Sequence, residues 1–239
     1  MNAIPGLLST GISLPVMLVR IRNFLAKSTV FGLLPDMAFL IGMIVLCNIH
    51  LLTGRTCQPL IFQYDAVMAG GLYRLITHPF VHLSGYHFLL DAGAFLLLYT
   101  GLYEKRPLCR MFVLFVCGLC GLAAPLVFAP EIYSRGLCGL SGIAHGLMAY
   151  SALEMIRDQK NFKIGVACLL LVTLKSVFEA VTGDVVFSFL HFGLCGVPIA
   201  ICHTGGVMGG IVSFFILNFT DCKNAENLKK KENVRCRKM

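Results

Sequence analysis

Polar side chains stand at intervals in otherwise apolar stretches of this chain, and their types are those of acyl-transfer chemistry. Ser141 lies in Gly139-Leu-Ser-Gly-Ile-Ala-His-Gly146, and His203 precedes a glycine-rich run, Gly205, Gly206, Gly209 and Gly210. A serine hydroxyl is a weak nucleophile until an imidazole takes its proton, so Ser141 and His203 suit a nucleophile and its general base. Glycines spaced in this way let two helices approach closely, which a Ser141–His203 hydrogen bond needs. His87 and Asp91 are four residues apart and share one helix face. Beside Ser141 they suit an oxyanion site, where the Ser141 backbone N–H would be a further donor. An ionised carboxylate repels an oxyanion, so the work expected of Asp91 is to orient His87 or hold it cationic. His145 shares the Ser141 face, either as a supporting donor or as a packed residue. His78, His82, His87 and Asp91 form an alternative ligand set for a metal. The helical metalloprotease pattern H-E-x-x-H is absent, however, and no metal or organic cofactor is expected.

The elements that must position these groups follow from composition. The chain has 239 residues, 57% hydrophobic and 13% charged, with a mean hydropathy of +0.79. A soluble domain is about a quarter charged, so an all-α membrane bundle is expected. Six apolar spans are predicted: 37–52, 84–103, 108–128, 140–156, 162–181 and 197–219. Residues 1–30 read as an interfacial amino-terminal arm, 31–219 as the membrane domain and 220–239 as a basic tail. Most of the 20 basic residues fall on one side of this arrangement: Arg20, Arg22 and Lys27; Lys105, Arg106 and Arg110; Arg157, Lys160 and Lys163; and the tail. The positive-inside rule then places both termini in the cytoplasm. The basic residues are not interleaved with aromatic ones, which excludes a nucleic-acid surface. Most cysteines lie in apolar runs and read as small hydrophobes; Cys57, Cys138 and Cys195 face the opposite side, where a disulfide is an option. Ionisable groups in the hydrocarbon are costly and need a reason. His87 and Asp91, Ser141 and His145, and His203 all fall toward the outer ends of spans two, four and six, so three helices bring them to one depth.

At this point the chain resembles the rhomboid intramembrane serine proteases, over about residues 70 to 215. The resemblance is carried by Tyr73-Arg74, by His82 with His87 and Asp91 at the spacing of the family's H-x-x-x-N, by Gly101-Leu-Tyr-Glu104, by Gly139-Leu-Ser141-Gly142 and by His203-x-x-Gly206-x-x-x-Gly210. It implies a six-transmembrane-helix rhomboid-like bundle with Ser141 as nucleophile and His203 as base. It also implies an oxyanion site near His87, a supporting place for His82 and structural roles for Arg74 and Glu104. Asp91 departs from the family's usual Asn. Ser141-Gly-Ile-Ala-His145-Gly146 looks like the S-G-x-x-H-G pattern of the rhombosortase branch. That likeness implies a bacterial inner-membrane enzyme acting on single-pass membrane proteins with a Gly-Gly carboxy-terminal anchor. Two rivals remain at this stage: a metal-dependent membrane hydrolase, and an inactive rhomboid-like protein that binds membrane clients.

Overall fold

A computed structural model describes residues 35–55, 57–186 and 199–236, and of 221–236 the backbone alone. The expected arm at 1–30, Cys195 and the start of span six at Val197 lie outside the described residues. Six long helices occur among these residues: α1 Pro35–Asn48, α2 Gly85–Gly101, α3 Pro107–Phe128, α4 Ser141–Arg157, α5 Phe162–Thr182 and α6 Ile201–Cys236. No strand occurs among the described residues; a lone antiparallel bridge joins Phe62 to Leu137. Residues 220–236 continue α6 as helix, so the tail boundary expected at 219 is one of composition rather than of backbone.

The expectation of six crossings is met only in part. Among the described residues, four segments are long and apolar enough to cross a membrane: Asp36–Thr53, Pro107–Phe128, Phe162–Thr182 and Ile201–Thr220. A fifth is obtained if Arg74–Phe80 and Gly85–Gly101, bent by 96°, form one broken span. The remaining helix, α4, has 17 residues, a length of about 25 Å against a hydrocarbon core of about 30 Å. Its neighbours explain why so short a helix belongs in the bundle. α4 packs against α2, α3, α5 and α6, and much of its surface is buried by them. An apolar stretch reads the same whether lipid or protein covers it.

The seam between α4 and α6 is made of bare backbone. A Cβ on Gly206 would overlap the Gly142 carbonyl oxygen, and one on Gly210 would overlap that of Gly146. Gly205 and Gly209 lie as tightly against Cys120 and Cys117 of α3. The glycines after His203 therefore set α6 against two helices at once. Cys117 is buried in this packing, as its apolar setting suggests. Cys57 and Cys138 are free thiols, so they form no disulfide with each other.

The far end of the bundle is fixed by a buried ion pair. Arg110 of α3 meets Asp36 of α1 at 3.1 Å, lies 3.9 Å over the Tyr99 ring and donates to the Tyr99 carbonyl. Tyr99 in turn donates its hydroxyl to Asp36. At the same end Glu154 of α4 accepts the backbone N–H groups of Tyr103 and Glu104, at 2.9 and 2.8 Å. Glu104 accepts from the Arg106 guanidinium at 2.7 Å. These contacts join α1 to α2, α3 and α4 and leave the site to be built at the opposite end.

Candidate active site

Three local features start the site. Ser84 caps α2, its hydroxyl accepting the His87 N–H at 3.1 Å, so α2 begins where His87 and Asp91 are needed. Gly139 has φ of +101°, a conformation that disfavours side chains. Its N–H donates to the His78 carbonyl at 3.1 Å, and a Cβ there would stand 2.7 Å from Asp91 and 2.9 Å from the His87 ring. The turn at Gly139 delivers Ser141 as the first residue of α4. Finally, Gly183, with φ of +76°, ends α5 one turn beyond Glu179 and donates to its carbonyl.

The close α4–α6 seam places Ser141 Oγ 3.1 Å from His203 Nε2. On its other side His203 Nδ1 lies 2.8 Å from Glu179 Oε2. His203 and Glu179 are both buried. An ionised carboxylate can only accept, so Nδ1 carries the proton and Nε2 is left free to accept from the serine hydroxyl. The other Glu179 oxygen accepts from Lys175 Nζ at 2.6 Å and from the Val186 N–H at 2.8 Å. Lys175 also donates to His145 Nε2 at 2.8 Å. An ammonium only donates, so the His145 proton is on Nδ1, which donates to the Ser141 carbonyl at 2.7 Å. His145 is stacked on His203, centroids 4.0 Å apart and planes 14° from parallel. Ser141, His145, Lys175, Glu179 and His203 thus share one consistent set of protons.

The α2 side is built differently. Asp91 Oδ2 accepts the Ser141 backbone N–H at 3.1 Å and faces His87 Nε2 at 3.2 Å. His87 Nδ1 accepts the Leu83 N–H, so Nε2 carries the proton and the carboxylate holds that tautomer. The Ser141 N–H, expected as an open oxyanion donor, is therefore occupied. His82 is buried. Its N–H and Nδ1 both meet Asn48 Oδ1, at 3.0 and 3.1 Å, because the Asn48 amide already donates to the carbonyls of Ile44 and Phe80. His82 Nε2 is left without a hydrogen bond, 3.8 Å from Asp91 Oδ2.

The residues singled out in the sequence divide accordingly. Ser141, His203 and His145 come together at one end of the bundle. His87, Asp91 and His82 stand on the other side of the Ser141 backbone. Arg74 lies outside the site, donating to the carbonyls of Gln58 and Ile61 at 2.8 and 2.7 Å. Glu104 lies at the far end, and Gly206 and Gly210 line the seam. Spacing alone gave Glu179 and Lys175 no part in the site. The signal available was a carboxylate and a lysine one turn apart near the end of an apolar span.

Among the described residues, the metal set imagined from His78, His82, His87 and Asp91 does not converge on one point. The ligand-type atoms that do lie within 4.8 Å of one another belong to His145, Glu179 and His203. A cation already stands there, since Lys175 Nζ contacts both His145 and Glu179. Residues 69–219 match the family model described as the Rhomboid domain. No curated protein and no solved structure matches the chain.

Proposed function

The chain belongs to the rhomboid family, and from that premise we propose that it is an intramembrane serine endopeptidase with Ser141 as nucleophile and His203 as general base. The observation that carries this reading is the 3.1 Å contact between Ser141 Oγ and His203 Nε2. Ser141 Oγ attacks the scissile carbonyl carbon as its proton passes to His203 Nε2. His203 then returns that proton to the leaving amide nitrogen, the C–N bond breaks, and an acyl-serine remains. Water attacks the acyl carbon, giving its proton to His203, which returns it to Ser141 Oγ as the ester C–O bond breaks, leaving free serine and a new carboxyl terminus. Before each attack the Asp91 carboxylate gives up the Ser141 N–H, which then serves the oxyanion together with His87.

Depth supports a membrane substrate. α3 runs about 33 Å and α4 about 25 Å, and Ser141 is the first residue of the shorter helix. With the far ends of both helices at one interface, the serine sits several Å below the other. A substrate helix entering from the side must unwind there to present its carbonyl. The charge asymmetry of the sequence makes this the outer leaflet and puts both termini in the cytoplasm. The S-G-x-x-H-G stretch at Ser141 to Gly146 favours the rhombosortase branch, with Gly-Gly carboxy-terminal anchors of single-pass proteins as substrates in a bacterial inner membrane.

The test is cleavage in proteoliposomes of a single-pass protein ending in Gly-Gly, an apolar segment and a basic cluster. Ser141→Ala and His203→Ala are each expected to abolish product. Product that persists in either overturns the dyad. Equal cleavage of the same tail with Gly-Gly replaced by Val-Val overturns the branch assignment and leaves the protease.

A further inference from the structure

We infer that Glu179 completes a Ser141–His203–Glu179 chain: it is the positioning residue that fixes the His203 tautomer and stabilises the imidazolium formed when Ser141 attacks, with Lys175 holding it in place. The inference rests on the serine-protease reading above. Its warrant is geometric. The carboxylate is fully buried and lies 2.8 Å from His203 Nδ1, on the ring edge opposite the serine. Its second oxygen is held by two further donors, Lys175 Nζ and the Val186 N–H. A buried carboxylate needs its lone pairs satisfied, and here each partner also fixes its direction. Lys175 brings a compensating charge, so Glu179 remains an anion without drawing a proton from His203.

The groups facing His203 from its neighbours fit the same role. α5 presents Glu179 and Lys175, and α4 presents Ser141 and the stacked ring of His145. α2 presents Asp91 behind the Ser141 N–H, and Cys202 is adjacent on α6. Glu179 is the one anion in direct contact with the imidazole among the described residues. As Ser141 Oγ–H gives its proton to Nε2, the ring gains a charge that the carboxylate offsets at Nδ1, with no further proton transfer. Lysine and glutamate one turn apart on α5 thereby supply what a buried histidine lacks when it works with serine alone.

The test uses the full chain in proteoliposomes and compares Glu179→Gln, Glu179→Asp and wild type across pH. Glu179→Gln is expected to lower kcat about 10²- to 10⁴-fold, the range set by general-base catalysis and by loss of the carboxylate in serine triads. KM is expected to stay near wild type. The acid limb of the kcat profile is expected to move to lower pH by about one unit or more, because the imidazolium loses its partner. Glu179→Asp is expected to recover part of kcat and part of that limb. A purely structural role would lower the amount of folded enzyme and leave the limb unmoved. A Glu179→Gln enzyme with kcat within about threefold of wild type and an unmoved limb overturns the inference. So does a variant that loses kcat with the limb in place.

If Glu179→Gln does not assemble, the wild type decides. With nitrogen-labelled histidine, the resonances lost in His203→Ala are expected to report a neutral ring protonated at Nδ1; protonation at Nε2 overturns the inference. Cleavage that survives Ser141→Ala would instead overturn the serine reading itself. Cleavage abolished in Ser141→Ala but intact in Glu179→Gln removes only the role of Glu179.

Discussion

The two sides of Ser141 are finished to different degrees. On the His203 side, hydrogen bonds run from Ser141 through His203, Glu179 and Lys175 to His145 and back to the Ser141 carbonyl. That ring of contacts admits one assignment of protons. On the Asp91 side, the Ser141 N–H is bound to a carboxylate rather than left open, and His82 Nε2 has no hydrogen-bond partner. The α4–α6 seam leaves no room for a single methyl group at Gly206, whereas Gly93, on the exposed face of α2, has open space around it. Under the proposed mechanism, the half that would activate the serine is preorganised, and the half that would receive the oxyanion already holds an anion, Asp91, at one of the donors the oxyanion needs.

The largest effect is expected from a methyl group in the tight seam. Gly206→Ala forces α4 and α6 apart, because its Cβ overlaps the Gly142 carbonyl. A displacement of about 1 Å costs on the order of 10²-fold in rate, and overpacking removes a further ~1–3 kcal/mol of stability. Turnover at or below about 1% of wild type, with a lower Tm, is expected. Gly93→Ala should leave both unchanged. Equal effects of the two would mean that the close α4–α6 seam is not what positions Ser141 against His203.

The α2 side shows all of its residues in the sequence, His82, His87 and Asp91, whereas the His203 side shows Ser141, His145 and His203 but not Glu179 or Lys175. Serine and histidine inside apolar stretches are costly enough to stand out, and the glycines around them announce a close approach. Spans two to five were legible as well, within a few residues of their observed ends, whereas α6 runs on to Cys236 through residues whose composition reads as a tail. The number of crossings is shown only as four or five among the described residues, because α4, at 17 residues, falls short of a spanning length. Glu179 escaped because its role depends on the rotation of α5 about its own axis. That rotation follows from the packing of α5 on α4, with Gly165 close against the Ala152 carbonyl, and no periodicity in the sequence declares it. Asp91 was recognised as awkward. Its contact with the Ser141 N–H depends on the turn at Gly139, whose positive φ is a property of the backbone.

Asp91 offers the next largest effect and tests whether the open side limits the enzyme. Asp91→Asn replaces an acceptor-only group with one that can also donate to the oxyanion. It is expected to hold or raise kcat by up to about tenfold, a fraction of what one oxyanion donor contributes. Asp91→Ala frees the Ser141 N–H but releases His87, and is expected to lower kcat about tenfold or more. Steady-state kinetics on both decide the matter. Loss of activity in Asp91→Asn at every pH would mean that the carboxylate is required, and that the α2 side is finished as it stands.

A smaller effect should come from His145, which both stacks and hydrogen-bonds. His145→Phe keeps a ring over His203 but loses the bonds to Lys175 and to the Ser141 carbonyl. Of the two, only the bond to the Ser141 carbonyl touches the serine, and one such bond is worth about 1 kcal/mol, or roughly fivefold in rate. A kcat reduced by about that much, with KM unchanged, is expected. His145→Ala removes the stack as well and should fall further. If the two variants are equal, stacking contributes nothing and the rigidity of this side comes from hydrogen bonds alone.

The smallest effect lies at the far end and measures how far both halves are insulated from it. The Arg106 hydrogen bonds hold the Glu104 carboxyl below its usual range. A depressed carboxylate stabilises the fold above its unfolded pKa of about 4.3, and that contribution is lost as pH falls through the folded value. Arg106 is half exposed, so solvent screening limits the pair to ~1 kcal/mol or less. Glu104→Gln should therefore lower Tm slightly at neutral pH, with the difference from wild type vanishing in acid. kcat should not change, because Glu104 meets α4 through Glu154, at the end of that helix remote from Ser141. A change in kcat without a change in Tm would reveal coupling along α4 that reaches the serine from below, and the contrast would then lie between the two ends of one helix rather than between its two sides.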